Sequence, residues 1–504
     1  MADRFESAIA VSDGEGCCLT YRELCDRAHQ LAMLLSAQVD ARAGLPIATL
    51  LPNSVGAVVA SYAVRITGAG EVPISWYSTE EEIDWCAKLA KVSHVLTLKA
   101  RQAALGGLGL NAVCLDAIAA STAVPPVKKG VFAGVQATLV GRILFTSGTT
   151  GKPKGVLYRH MDRWLGEQML KASLPFVPRV GDKILLMTPF VHGSSLLAYA
   201  WCDLGGHAVL LDGVVIEKIR EQLKDPRLRA IFAPPTVLAK ITSVFEGQSF
   251  KQVECIFTGT QPLTALLYAR ACAMFGPVVR VTYGKSECVN PITVLSMTDT
   301  HDYFSAPNIP AGACVGYPSP GVELRIEVGH QDSSEEIDSS DGEVWLRAPH
   351  MSCGMITPDG FVSHEPDGWH QTGDLGHIDA AGRLVLTGRL ADVIKTGGFK
   401  VNPDEIEALL STLGASTQVC VTAVPSDYWG EIIVAVAELA FEGWESVAQE
   451  RVKPLSRHKH PRLFLAVEAL PRNPQGKVSR RAVRELILRA YELLDGPYPK
   501  MMRR

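Results

Sequence analysis

At 504 residues the chain is too long to fold around one ordinary hydrophobic core, and its length points to two to four domains or subdomains. With 47% apolar and 20% charged residues it has the composition of a soluble globular protein, which excludes a disordered one. Its 49 basic and 53 acidic residues leave a net charge of −4, which gives no electrostatic reason to expect nucleic acid or an anionic membrane as a partner.

Small-molecule partners are expected instead. Twelve cysteines are scattered with no C-x-x-C pair and no zinc spacing, so a reduced, cytoplasmic setting with buried structural thiols is expected. The opening M-A-D-R-F-E-S lacks a basic segment followed by an apolar run, and Arg65 interrupts the most apolar early stretch. Neither a signal peptide nor a membrane span is expected.

In chain order, L-T-Y-R-E-L-C-D-R-A-H-Q-L-A-M-L-L is amphipathic at helical spacing and P-I-A-T-L-L-P reads as a strand. The run from Val55 to Ile74 and then S-H-V-L-T-L continue a helix and strand succession typical of layered α/β folds. Thr146 to Gly155, T-S-G-T-T-G-K-P-K-G, follows the apolar Ile143-Leu144-Phe145 and precedes Val156-Leu157, which predicts strand, loop, strand. Its glycines leave backbone amides open, and hydroxyls with Lys152 and Lys154 complete a loop suited to a polyphosphate. A Walker loop is excluded, because the positions that need Gly and Ser/Thr hold Thr146 and Pro153.

Farther on, A-I-F-A-P-P-T, V-E-C-I-F-T-G-T-Q-P-L and V-V-R-V-T-Y-G-K-S-E each read as a strand opening into a polar loop, the place where open α/β sheets collect ligands. In Tyr283-Gly284-Lys285-Ser286-Glu287 an aromatic face, a hydroxyl and a carboxylate could serve base stacking, a phosphate hydrogen bond and a magnesium ligand. Residues 331–342 are acidic and read as solvated surface. V-W-L-R-A-P and L-V-L-T-G-R alternate like a small antiparallel sheet, and after Arg389 about a hundred residues suffice for a separate small domain. The expected domains are therefore 1–389 and 390–504, divided at Leu390-Ala391.

Several of these stretches together resemble the adenylate-forming superfamily of acyl-CoA synthetases, luciferases and peptide-synthetase adenylation domains. Thr146 to Gly155 is similar to its signature loop, Y-G-K-S-E to its Y-G-x-T-E with Ser286 for the usual Thr, and Trp369-His370-Gln371-Thr372-Gly373-Asp374 to its W-x-x-T-G-D. Gly388-Arg389 matches its ribose arginine, and Lys477 in P-R-N-P-Q-G-K-V its C-terminal catalytic lysine. The implied fold is α/β with several subdomains: a large N-terminal domain of layered α/β subdomains with a small β-barrel-like part, and a small mobile α+β C-terminal domain.

The resemblance also implies roles. Thr146, Ser147, Gly148, Thr149, Thr150 and Lys154 would hold phosphates, and Tyr283 would lie against adenine bordered by Thr260 and Gln261. Ser286 would contact the α-phosphate, Glu287 would hold magnesium, and Asp374 and Arg389 would meet the ribose. His192 falls beside the phosphates and acyl channel, while Gly397, Gly398 and Lys400 line the pantetheine passage. Read without the family, Gly397-Gly398 is an ordinary hairpin turn before a helix starting near Pro403. Where relatives carry Asp or Lys at the hinge this chain has Ala391, yet rotation is expected because a hinge needs accessible backbone angles more than charge. Arg480 and Arg481 read as surface charges.

The implied reaction uses ATP, Mg2+ and coenzyme A to convert a carboxylic acid to an acyl-adenylate and then a thioester, with a homodimer expected from relatives. Val191 and His192 stand where amino-acid-activating domains carry an aspartate, which disfavours an amino acid. Gly284 replaces the Trp of acetate-using relatives, and Gly193, Ser194 and Ser195 are small, so room for an aryl, alicyclic or medium-chain acid is expected. Two other readings are a ligase loading an acyl carrier protein and a non-catalytic acyl-AMP sensor. A G-x-S-x-G hydrolase is not supported.

Overall fold

The computed structural model describes residues 2–38, 45–116, 135–146, 153–191, 193–310, 312–328, 341–364, 367–411, 413, 417–472 and 477–504. They form two compact bodies. The first takes Met1–Ala306, Val315–Glu323 and Arg347–His370; the second takes Pro307–Cys314, Leu324–Leu346 and Gln371–Arg504.

Two sheets build the first body. In one, strands Val279–Lys285, Cys255–Gly259, Leu228–Phe232, Lys183–Leu186, His207–Leu210 and Ile9–Asp13 lie side by side and parallel. Cys288–Leu295 and Cys18–Thr20 flank this parallel run antiparallel, and Ala313–Pro318 pairs with the outer edge of the former. Continuous apolar runs such as Ile184-Leu185-Leu186, which expose nothing, are what a parallel sheet covered on both faces requires. The other sheet runs parallel through Val140–Thr146, Gly70–Ser75, Pro46–Leu51, His94–Thr97 and Asn111–Cys114. Lys154–Arg159, Gly354–Thr357 and Gly360–Ser363 extend it antiparallel.

Helices cover the sheets for local reasons. Val55–Thr67 starts where the Ser54 hydroxyl accepts from the Ala57 amide, ends where Gly68 turns left-handed at φ 77°, and buries small residues such as Ala57, Ala60 and Ala63. Helix His160–Ala172 lies so close to strand Cys288–Leu295 that a Cβ on Gly166 would stand 2.4 Å from that of Val289.

In the second body, Glu323–Glu327, Gly342–Arg347, His370–Ile378 and Leu384–Arg389 lie side by side as the small sheet foreseen for this stretch. Toward the C-terminus, Gln418–Ser426 and Gly430–Glu438 pair antiparallel, and Leu463–Val467 joins the latter in parallel. Alternation decides which helix each residue meets. Val421, Ile433 and Ala435 pack with Ile406, Leu410 and Trp444, whereas Val424, Ile432 and Val434 pack with Val483 and Ile487 of helix Arg480–Ala490. A terminal hairpin, Tyr491–Leu494 with Lys500–Arg503, ends the chain.

Three expectations need comment. All twelve cysteines are free thiols, but Cys17 and Cys18 are exposed, because they occupy the turn and edge strand beside Asp13 instead of a core position. Most of the acidic stretch 331–342 lies outside the described residues. Among the described residues no helix is long and apolar enough to cross a membrane.

Candidate active site

The segment expected to hold phosphates lies between two paired strands. Strands Val140–Thr146 and Lys154–Arg159 pair antiparallel, with Thr146 opposite Lys154 at the mouth, as strand, loop, strand requires. Ser147, Gly148, Thr149 and Thr150 lie outside the described residues, as does His192. Trp85 fixes the returning side by donating its indole N–H to the Pro153 carbonyl at 2.8 Å.

Thr260, Gln261, Tyr283, Ser286 and Glu287 gather because their strands are parallel neighbours. Gly259 pairs with Thr282, so the loops after both strands leave the same sheet edge. Thr260 holds a left-handed backbone at φ 72°, which turns the chain sharply at that edge. Tyr283 is buried, while Ser286 and Glu287 form the tip between the antiparallel partners Lys285 and Cys288.

One hydrogen bond links this tip to the phosphate hairpin. Buried Tyr158, on the strand leaving the loop, donates its hydroxyl to the Ser286 carbonyl at 2.6 Å. The Glu287 carbonyl accepts from the Ser352 amide at 2.8 Å, and the Ser352 hydroxyl bonds the His364 ring at 2.9 Å. Burial holds the His364 imidazole below the usual histidine range, although its bond at Ser352 and the Glu287 charge oppose that. Neither Tyr158 nor Ser352 stands out in the sequence; a tyrosine three residues after a glycine-rich loop was the available signal.

The space beside each of the small residues expected to leave room for the acid is taken by a neighbour. A Cβ at Gly284 would lie 1.3 Å from Asn290 Oδ1, so this glycine accommodates the Asn290 carboxamide across the hairpin. Ser194 and Ser195 are fully buried: Ser194 bonds the Thr188 hydroxyl at 2.6 Å, and Ser195 accepts from Arg142 at 3.2 Å. Gly193 is backed by Phe232, whose ring a Cβ would meet at 3.0 Å. Small residues here signal close packing and not vacancy.

In the second body the motif expected to meet the ribose is tightly formed. Asp374 and Arg389, fifteen residues apart, stand directly opposite in an antiparallel pair, with Arg389 Nε 3.2 Å from Asp374 Oδ1. The Asp374 carboxylate is buried beneath a largely exposed guanidinium. Within strand His370–Ile378, Gly373 takes a left-handed φ of 68°, and the Asp374 amide is held by the Thr372 hydroxyl at 3.1 Å. Leu390–Asp392 is a short 3-10 turn, and beside the uncharged Ala391 the carboxylate of Asp392 accepts from Arg480 at 2.5 Å.

Gly397 and Gly398 have φ of 57° and 87°, the conformation a two-residue hairpin turn demands of both central residues. They join strands Ile394–Thr396 and Phe399–Val401 and, with Lys395, Tyr428 and Trp429, line an open pocket of about 590 Å³. Lys400 pairs with Lys395 on the backbone; its side chain lies outside the described residues. The helix foreseen near Pro403 is Pro403–Leu410, capped by Asn402.

Lys477 precedes Val478, which bridges Arg472, and lies just before helix Arg480–Ala490 with its Ser479 cap. The surface role expected for Arg480 is overturned. Its guanidinium is largely buried among Asp392, Asp404 and Glu407, with Glu407 at 2.7 Å. Arg481 is exposed, as expected, and pairs only with Glu485 at 3.0 Å.

The first body carries the Gly/Thr hairpin strands and the Ser286-Glu287 tip, the second carries the Asp374–Arg389 pair, and each matches a motif by which the sequence resembles the adenylate-forming class. The chain belongs to the AMP-binding enzyme family: that family's profile matches residues 1–355, and the AMP-binding enzyme C-terminal domain matches residues 405–477. It is 28% identical over 527 residues to the 3-[(3aS,4S,7aS)-7a-methyl-1,5-dioxo-octahydro-1H-inden-4-yl]propanoyl:CoA ligase of Rhodococcus jostii, covering 96% of each chain. It is 27% identical over 525 residues to the 4-chlorobenzoate–CoA ligase of an Arthrobacter species, covering 99% of this chain and 96% of that one. In fold it is similar to the o-succinylbenzoate CoA synthetase of Bacillus subtilis in complex with its acyl-adenylate intermediate, with a TM-score of 0.82, 22% identity and 96% of both chains covered.

Proposed function

We propose that this protein is an AMP-forming acid-thiol ligase, which activates a carboxylic acid with ATP and passes the acyl group to coenzyme A. The observation that carries the reading is the bond from Tyr158 to the Ser286 carbonyl, since it fixes the tip bearing Ser286 and Glu287 to the strand that leaves the phosphate loop. In the first half-reaction a carboxylate oxygen attacks the α-phosphorus, the bond to pyrophosphate breaks, and pyrophosphate departs with the electron pair. Little covalent chemistry is asked of the protein; it positions the reactants and neutralises charge. Ser286 steadies the α-phosphate, Asp374 and Arg389 hold the ribose, and Lys477 offsets the charge that builds at the phosphorus.

Among the described residues no three His, Cys, Asp or Glu are gathered as a metal cage. Magnesium would be held by the Glu287 carboxylate together with the nucleotide's own oxygens. When bound, the ion supplies charge neutralisation on the phosphates.

In the second half-reaction the thiol sulfur attacks the acyl carbon, the acyl–phosphate C–O bond breaks, AMP leaves, and the thiol proton passes to solvent. Gly397-Gly398 faces the thiol arm in this reading, and the domain boundary falls at Leu390-Ala391, between the two segments that the family profiles match. The acid is aryl, alicyclic or medium-chain; the support for this is the named substrates of the relatives, not the small residues around Gly284.

A panel of such acids assayed for ATP-dependent pyrophosphate release tests the proposal directly. Lys477→Ala is expected to slow acid-dependent release by about 10²–10³-fold, and an undiminished rate would remove the lysine from the mechanism. Thioester formation with coenzyme A, compared with a carrier protein bearing the same phosphopantetheine arm, identifies the acceptor.

A further inference from the structure

The terminal hairpin lies beyond the segment that the family's C-terminal profile matches, yet its turn is tied to the Gly397-Gly398 pocket. Asp495 gathers donors from one short turn. Its Oδ1 accepts from the Ser426 hydroxyl at 2.6 Å, and its Oδ2 from the backbone amides of Asp427 at 2.7 Å and Tyr428 at 3.3 Å. The Ser426 bond, opposed by slight desolvation and joined by three backbone bonds, holds the Asp495 carboxyl below the usual range, so these are charge-assisted at neutral pH.

The next residue in the turn, Trp429, is restrained on three sides. Its indole N–H donates to the Gly496 carbonyl at 3.0 Å, the Arg462 guanidinium lies 3.7 Å from its ring centroid, and its own carbonyl accepts from the Gly397 amide at 2.8 Å. The ring edge lies against Gly397, where a Cβ would stand 3.2 Å from Trp429 Cε3. The indole is therefore one wall of the pocket, and the terminal hairpin decides where that wall stands.

We propose that Asp495 is a positioning residue for the thiol half of the reaction: through the Ser426–Trp429 turn it sets the distance of the indole from Gly397 and Gly398, and so the width of the passage for the pantetheine arm. This rests on the reading of Gly397-Gly398 as the thiol-facing turn. Adenylation uses none of these groups, so the two half-reactions separate a positioning role from a general loss of structure.

Full-length Asp495→Ala is expected to lower kcat/KM for coenzyme A by about fivefold, mainly through KM, while acid-dependent pyrophosphate exchange in the same preparation stays within about twofold. Asp495→Asn keeps one carbonyl acceptor, and its loss should fall between the alanine variant and the parent. An equal fall in both half-reactions, or no fall in either, overturns the proposal. Gly398→Val is the control on the reading beneath it. Thioester formation blocked by Gly398→Val but untouched by Asp495→Ala overturns the positioning role alone, whereas thioester formation untouched by Gly398→Val overturns the thiol-facing assignment and the proposal with it.

Discussion

Each body of the molecule gathers a cluster of charges, almost fully buried in the first and partly buried in the second, and the two clusters are unbalanced in opposite directions. In the first body, Glu71 and Arg142 face each other on neighbouring strands, and Arg163, Glu167 and Arg65 come from two helices. Arg163 lies 3.4 Å from Glu71, and Arg65 lies 2.9 Å from Glu167. Three cations thus share two anions. Burial pushes the Glu71 carboxyl up, but Arg142 and Arg163 outweigh it and hold it below the usual range; Glu167 is lowered in the same way by Arg65 and Arg163. The surplus is felt by Arg163, which burial and the other two arginines bring down to about 10.

In the second body one cation, Arg480, serves Asp392, Asp404 and Glu407. Here the anions are in excess. Burial raises the Glu407 carboxyl to about 7, with Asp404 adding to the rise and Arg480 opposing it. Even brought down to about 10 the arginine keeps its charge at neutral pH, whereas a surplus carboxylate neutralises itself by taking up a proton.

The largest effect should come from breaking the first cluster. Glu71→Gln leaves three guanidinium groups with Glu167 alone, and denaturant unfolding should show a loss of about 3–5 kcal/mol, the usual cost of stripping a partner from a buried pair. A loss below about 1 kcal/mol would mean that the site is hydrated and that the charge count is the wrong description. A smaller effect sharpens the contrast through pH. Because Glu407 is raised when folded, its contribution is fully present below the unfolded carboxyl pKa of about 4.3 and is lost as pH rises through about 7.

Glu71 and Glu167 are lowered, so their contribution is present above about 4.3 and lost only as pH falls. Thermal unfolding followed from pH 5 to pH 8 should therefore show a decline that Glu407→Gln flattens, and an identical slope in the variant would contradict the assignment. The smallest effect is expected at Arg481→Ala, which removes one exposed pair with Glu485 and should change stability by less than about 0.5 kcal/mol.

Those neighbouring arginines also show what a sequence reveals. Arg480-Arg481 reads as one patch of surface charge, because the carboxylates around the first come from 73, 76 and 88 positions away. The phosphate hairpin was legible, since its strands are apolar runs on either side of a Gly/Thr loop. The Asp374–Arg389 pair was legible in type and spacing, and folding added only that the two face each other. The packing around Gly284 and Ser195 was not. A small residue looks the same in a string of letters whether it lines a void or yields space to Asn290 or Arg142. Asp495 was invisible for a related reason, as its partners at 426–428 carry no motif.

The contact at Gly166 has a mechanical meaning. Helix His160–Ala172 continues directly from the strand that leaves the phosphate loop, and at Gly166 it rests backbone to side chain on Val289, two residues beyond Glu287. A single hydrogen atom is all the clearance there, so the helix acts as a spacer with no slack. Any side chain at that point would pry the loop's supporting strand away from the carboxylate tip, detuning both without altering a group that touches substrate.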